Sequence, residues 1–98
     1  MRFKGKTAFI TGGGTGIGAA VARRIAADGG NVVLMGRRRE PLEAVAKEFG
    51  GLVVQGDAAD AKSVRAAIAE AHAKYGAIDI LIANAGGHGV GPTISMSD

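Results

Sequence analysis

The chain has 98 residues, 47% hydrophobic and 21% charged, a balance that suits one small folded domain and excludes a disordered, highly charged tail. It holds no cysteine, which excludes a disulfide scaffold and a cysteine-ligated zinc site, whereas its 17 glycines stand far above the usual share of about 7%. The formal charge of +3 and a pI near 9.7 are mildly basic and suit an anionic ligand.

Arg2, Lys4 and Lys6 imitate the start of a signal peptide, but Thr7-Ala8-Phe9-Ile10 is too short for its apolar core. Those four residues with Thr11 instead read as a first strand running into a glycine cluster. From Ile17 to Asp28 the apolar positions Ile17, Val21 and Ile25 fall on one helical stripe, and Gly29-Gly30 ends it. Asn31 to Met35 carries Val32-Val33-Leu34-Met35, an unbroken apolar run suited to a strand buried on both faces. Leu42, Val45, Ala46 and Phe49 then repeat at helical spacing, with Pro41 in the first turn and Gly50-Gly51 as the stop. Leu52 to Gln55 is a third strand, and Val64, Ala67, Ile68, Ala71 and Tyr75 mark a third helix closed by Gly76. Ile78 to Ala83 is the fourth strand, too interrupted by Asp79 and Asn84 to span a bilayer. A soluble chain is expected, with the cytoplasm as its default compartment.

The order β-α-β-α-β-α-β implies parallel strands joined by right-handed crossovers, an α/β fold built as the first half of a doubly wound sheet. In the strand order 3-2-1-4 the apolar Ile78–Ala83 strand would form an open edge, which invites pairing or aggregation. Either another chain completes the sheet, or these residues are the front of a longer protein.

Thr11-Gly12-Gly13-Gly14-Thr15-Gly16-Ile17-Gly18 sits where the first strand turns into the first helix. Glycines allow a tight turn and close approach of a ligand, and the helix start adds free N–H groups and a positive dipole end. Gly18 is followed by Ala19-Ala20 rather than lysine, which disfavours a Walker A loop. The G-x-G-x-x-G/A fingerprint fits only as Gly14, Gly16 and Ala19. Thr11 with Gly12, Gly16 and Gly18 is the fuller match to another dinucleotide pattern. A purely structural turn does not need five glycines between Gly12 and Gly18, so the segment reads as a dinucleotide cradle.

The chain resembles the N-terminal half of a short-chain dehydrogenase/reductase. Thr11 through Gly18 match the T-G-x-x-x-G-I-G pattern, Asn84-Ala85-Gly86 match the N-A-G motif after the fourth strand, and Asp57 matches an acid after the third. The one departure is Ala83, where the family often has a second Asn. The resemblance implies a Rossmann-like parallel sheet with flanking helices, with residues 1–98 as a single dinucleotide-binding half-domain. It implies cofactor contacts at Gly12, Gly14, Thr15, Gly16, Ile17 and Gly18. It further implies that Asp57, with Ala58 beside it, hydrogen-bonds the adenine amino group, and that Asn84, Ala85 and Gly86 lie near the adenosine and nicotinamide ribose. Two structural alternatives stay open. Asp57 could serve the following helix, though Asp60 is the better cap, and Asn84 could tie backbone groups of neighbouring strands.

An acid about 20 residues beyond the glycines selects the ribose 2′-OH of NAD, and an arginine nearby accommodates the 2′-phosphate of NADP. The acid position is Gly36, followed by Arg37-Arg38-Arg39, and Arg37 lies nineteen residues after Gly18. Arg37 offers a planar fork for phosphate, and Arg38 adds charge or stacking on adenine. The expectation is NADP(H), with NAD(H) as the lesser alternative because Glu40 follows closely. Three arginines without interleaved aromatics do not make a nucleic-acid surface, and His72 and His88 are too scattered for a metal site.

The family's hydride transfer uses a tyrosine whose pKa is lowered by a lysine four residues on, with a serine positioning the carbonyl. Here Tyr75 is followed at that spacing by Asp79, and Ser63, Ser95 and Ser97 have no such partner, so no catalytic residue is assigned. The expected function is the cofactor-binding half of an NADP(H)-dependent oxidoreductase acting on a small carbonyl or alcohol, a homo-oligomer at full length. The alternatives are a non-catalytic NADP(H)-binding module and a truncated product.

Overall fold

The computed structural model describes residues 3–12, 16–83 and 93–96. Along the chain they form β1 (Thr7–Thr11), α1 (Gly16–Ala27), β2 (Asn31–Gly36), α2 (Arg39–Ala46), β3 (Leu52–Gln55), α3 (Ala61–Tyr75), β4 (Ile80–Ala83) and β5 (Thr93–Met96). The first four strands are parallel in the order β3-β2-β1-β4, the Rossmann-like arrangement that alternating strands and helices imply. Thr11 pairs with Met35 on one side and Ala83 on the other, while Gly36 pairs with Gln55. All four carboxyl ends therefore reach one rim.

Alternation along the strands divides the core in two. Ala8 and Ile10 of β1 join Val32 and Leu34 of β2 and Ile80 and Ile82 of β4 beneath α1 and α2. Phe9, Val33 and Met35 face the other way, where Ala67 and Ala71 of α3 close over them with no exposed surface. The small alanines let the helix come close, and Phe9 supplies the bulk. Full burial of one such large side chain contributes roughly 1.5–3 kcal/mol.

The structure differs from the sequence reading in several places: α2 ends at Ala46, with Phe49 in the turn that follows, and three further differences concern β4, α1 and the sheet edge. Thr7 donates its N–H to Asp79 Oδ2 at 2.9 Å and accepts the Asp79 N–H on its carbonyl at 2.9 Å. A side chain thus substitutes for backbone at the start of this pairing, and β4 begins at Ile80 rather than Ile78. The buried stripe of α1 is Gly18, Ala19, Ala22 and Ile25, so Ile17 turns outward and is 56% exposed. The third difference corrects the open edge: β5 pairs antiparallel with β4, Ile80 opposite Met96 and Ala83 opposite Thr93. The chain itself supplies that neighbour through a short return strand, which strand-and-helix alternation does not anticipate.

Cover over β4 is uneven. Ile80 and Ile82 are buried, but Leu81, on the α3 face, remains 37% exposed.

Candidate functional site

The rim formed by the strand ends surrounds a hollow of about 390 Å³. Gly12 lines it from the end of β1, Gly36 and Arg37 from the end of β2, Asp57 and Ala58 from the turn after β3, and Ala83 from β4. These residues are far apart in sequence, and the parallel register alone brings them together. Open α/β sheets bind ligands at this end.

Gly12 has φ +68°, where a side chain would be strained, and its N–H donates to Met35 O at 2.8 Å. The chain thereby leaves β1 sharply and passes close to the hollow. Gly16, Ile17 and Gly18 form the first turn of α1, whose N–H groups have no partners inside the helix. The exposed Ile17 gives that turn an apolar shoulder. Gly14, Thr15, Asn84, Ala85 and Gly86 lie outside the described residues.

Charge is divided between two walls. Arg37 and Arg38 are exposed at the β2–α2 turn, and among the described residues no ion pair engages either of them. Arg39 is committed to Glu43, one helical turn on, at 3.4 Å. A Cβ at Gly36 would come within 3.3 Å of Leu42 Cδ1, so the last residue of β2 has little room and carries no charge of its own. On the opposite wall, Asp57 Oδ1 accepts the Ala59 N–H at 2.9 Å, and Asp60 caps α3 by accepting the Lys62 N–H at 3.1 Å. Asp60 is the cap, as its position suggests, and Asp57 turns one oxygen to its own loop. Among the described residues, the neighbouring Ala58 N–H has no hydrogen-bond partner.

Two contributors escape a reading by motif. Gln55 Nε2 donates to Arg37 O at 3.0 Å, tying the arginine turn to β3. Ser63 Oγ accepts the Asp57 N–H at 2.9 Å. The available signal for Ser63 was its place in the first turn of α3, where a short polar side chain reaches back to free N–H groups.

A second hollow of about 440 Å³ lies beneath α1 between Phe3, Ile25, Ile80 and Ile82. Its walls are almost wholly apolar, and the one charge at its border, Arg24, pairs with Asp28 at 3.2 Å. Among the described residues no group of three metal-ligating side chains occurs, and no helix is long and apolar enough to cross a membrane.

Residues 6–98 match the family model described as short chain dehydrogenase. This chain belongs to the short-chain dehydrogenase family. Oxidoreductase UcpA of Escherichia coli is 42% identical to it over 102 residues, covering 99% of this chain and 38% of that protein. Meso-2,3-butanediol dehydrogenase of Serratia marcescens is 38% identical over 100 residues, covering 99% of this chain and 40% of that enzyme. Among solved structures, 3-ketoacyl-(acyl-carrier-protein) reductase of Brucella melitensis, complexed with NADH, superposes with TM-score 0.77 at 40% identity, covering 80% of this chain and 33% of that one. The short-chain dehydrogenase chain thus spans roughly 32–40% of the length of curated relatives it matches. The family binds nicotinamide cofactors, and the glycine turn and strand-end hollow described above occupy the end of the sheet where such a ligand fits.

Proposed function

We propose that this chain is the dinucleotide-binding half-domain of an NADP(H)-dependent oxidoreductase that moves hydride between the nicotinamide and a small carbonyl or alcohol. The observation that carries the reading is the shared hollow, with Gly12, Arg37 and Asp57 on three sides. The glycine turn at Gly12 and the first turn of α1, with Gly14 and Thr15 between them, receive the pyrophosphate. Ile17 packs against the cofactor, and Gly16 and Gly18 keep the backbone close to it. Arg37 takes the 2′-phosphate through its planar fork, and Arg38 adds positive charge or stacks on adenine. Asp57 accepts from the adenine amino group while the Ala58 N–H donates to the ring nitrogen beside it, a donor–acceptor pair complementary to one edge of the base. Asn84, Ala85 and Gly86 continue the binding surface toward the ribose and nicotinamide.

The bound nicotinamide supplies or accepts the hydride. Residues 1–98 contain no Tyr-x-x-x-Lys pair, so this reading leaves proton transfer to other residues of the protein. The diol dehydrogenases among the relatives support a small alcohol or carbonyl substrate. NAD(H) is the second reading, favoured by the NADH complex of the Brucella relative.

Fluorescence titration of Arg37→Ala separates the two. Loss of a charge-assisted contact worth about 1.5–3 kcal/mol weakens NADPH roughly 10- to 150-fold and leaves NADH nearly unchanged. Equal losses for both cofactors, or no loss, defeat the NADP(H) assignment.

A further inference from the structure

We propose that Ser63 is a positioning residue that sets the aim of Asp57 at the candidate site, an inference that rests on the adenine-binding role proposed for Asp57. Four hydrogen bonds of ordinary length hold the turn after β3. Gly56 N–H donates to Gly36 O at 2.8 Å and so extends the β2–β3 pairing by one step. Asp57 O accepts the Asp60 N–H at 3.0 Å, and Asp57 Oδ1 accepts the Ala59 N–H at 2.9 Å. The carboxylate bond is local and travels with the turn, and the bond to Asp60 reaches only the cap residue of α3. They give it a shape but not a place.

The bond from Asp57 N–H to Ser63 Oγ differs, because it joins the turn to the body of α3. Ser63, Ala67 and Ala71 are spaced by four and share one face of that helix. Ala67 and Ala71 are fully buried against the sheet beside Phe9 and Met35. The Ser63 hydroxyl therefore refers the Asp57 backbone to the rigid core, and with it the carboxylate and the adjacent Ala58 N–H.

Gly56 is the other half of the device. A Cβ there would stand 2.5 Å from Ser63 Oγ, closer than real side chains approach, and a tight 3.0 Å from Met35 Cε. It would stand at an ordinary 3.7 Å from Ser63 Cβ. The missing side chain at residue 56 thus makes room for the hydroxyl, and the two positions form a matched pair.

The test uses the intact protein and three probes: NADPH, adenosine 2′,5′-bisphosphate and reduced nicotinamide mononucleotide, which lacks adenine. Loss of one hydrogen bond in Ser63→Ala weakens the two adenine-bearing probes about three- to ten-fold and leaves the mononucleotide unchanged. Ser63→Thr, which keeps the hydroxyl, restores most of the affinity. Gly56→Ala, which displaces the hydroxyl, reproduces the adenine-selective loss and serves as the readout should Ser63→Ala fail to fold. Equal weakening of all three probes, or of none, overturns the proposal. Asp57→Ala keeps the two levels apart. If it weakens the adenine-bearing probes while Ser63→Ala does not, the positioning role alone fails; if it leaves them unchanged, the adenine reading itself fails.

Discussion

The two walls of the candidate site are built on opposite plans. At the end of β3, Asp57 is held through its N–H, its C=O and one carboxylate oxygen, by bonds of 2.9–3.0 Å. At the end of β2, Arg37 and Arg38 reach out from an exposed turn whose side-chain tie is Gln55 Nε2 on Arg37 O. The difference matches what each wall is proposed to read. A base edge demands donors and acceptors held at fixed positions by the backbone, whereas a guanidinium carries its own planar fork on a long side chain and can bring it to a phosphate from an exposed turn. Rigidity is placed where direction carries the information, and reach where charge does.

The comparison can be broken most forcefully at the β2 end. Gly36→Asp puts a carboxylate beside the proposed 2′-phosphate position and against Leu42 Cδ1, 3.3 Å from the new Cβ. Like charges brought together cost several kcal/mol, so NADPH affinity should fall about 100-fold or more while NADH is held or improved, measured by parallel titrations. A smaller effect should follow from loosening the same wall without changing its charge. Gln55→Leu removes the bond to Arg37 O, and an exposed hydrogen bond near the low end of the usual range predicts a two- to five-fold loss for NADPH and none for NADH.

The smallest effect lies away from both walls. Arg23 grips both carboxylate oxygens of Glu48 at 2.9 and 3.0 Å. That hydrogen bonding holds the Glu48 carboxyl below its ordinary range; partial desolvation opposes it, and the arginine's charge adds to it. A lowered folded-state pKa stabilises above the unfolded value, about 4.3 for Glu, and the contribution disappears as pH falls through the folded value. The two side chains are about half exposed, so Glu48→Gln should shift Tm only slightly at pH 7 and slightly flatten its decline below pH 4. A large Tm shift at neutral pH would contradict the surface character of this pair.

Much of the fold is legible along the chain because its signals are local and repeated. Val32-Val33-Leu34-Met35 announces a strand covered on both faces, and the glycine stops after α1 and α3 fall within two residues of the helix ends, whereas α2 ends at Ala46, ahead of Gly50. The α1 stripe misleads at Ile17, because spacing alone cannot tell the end of a buried stripe from an apolar residue turned to the rim. The β4 edge misleads too, since its partner β5 comes from a segment whose pairing is set by register rather than composition. At the site, Gly12, Arg37 and Asp57 announce themselves through motifs, because a tight turn, a cation and an acid at strand ends are each visible in one dimension. Ser63 and Gln55 do not. Their roles arise from where a hydroxyl and an amide fall once β3 and α3 are packed, which no motif records.

The most direct test is a crystal structure of the intact protein with NADPH. Adenine is expected between the two walls, its amino group on the Asp57 carboxylate and the 2′-phosphate against Arg37. Adenine bound outside the strand-end hollow, or a 2′-phosphate with no contact to the Arg37–Arg38 turn, would contradict this placement.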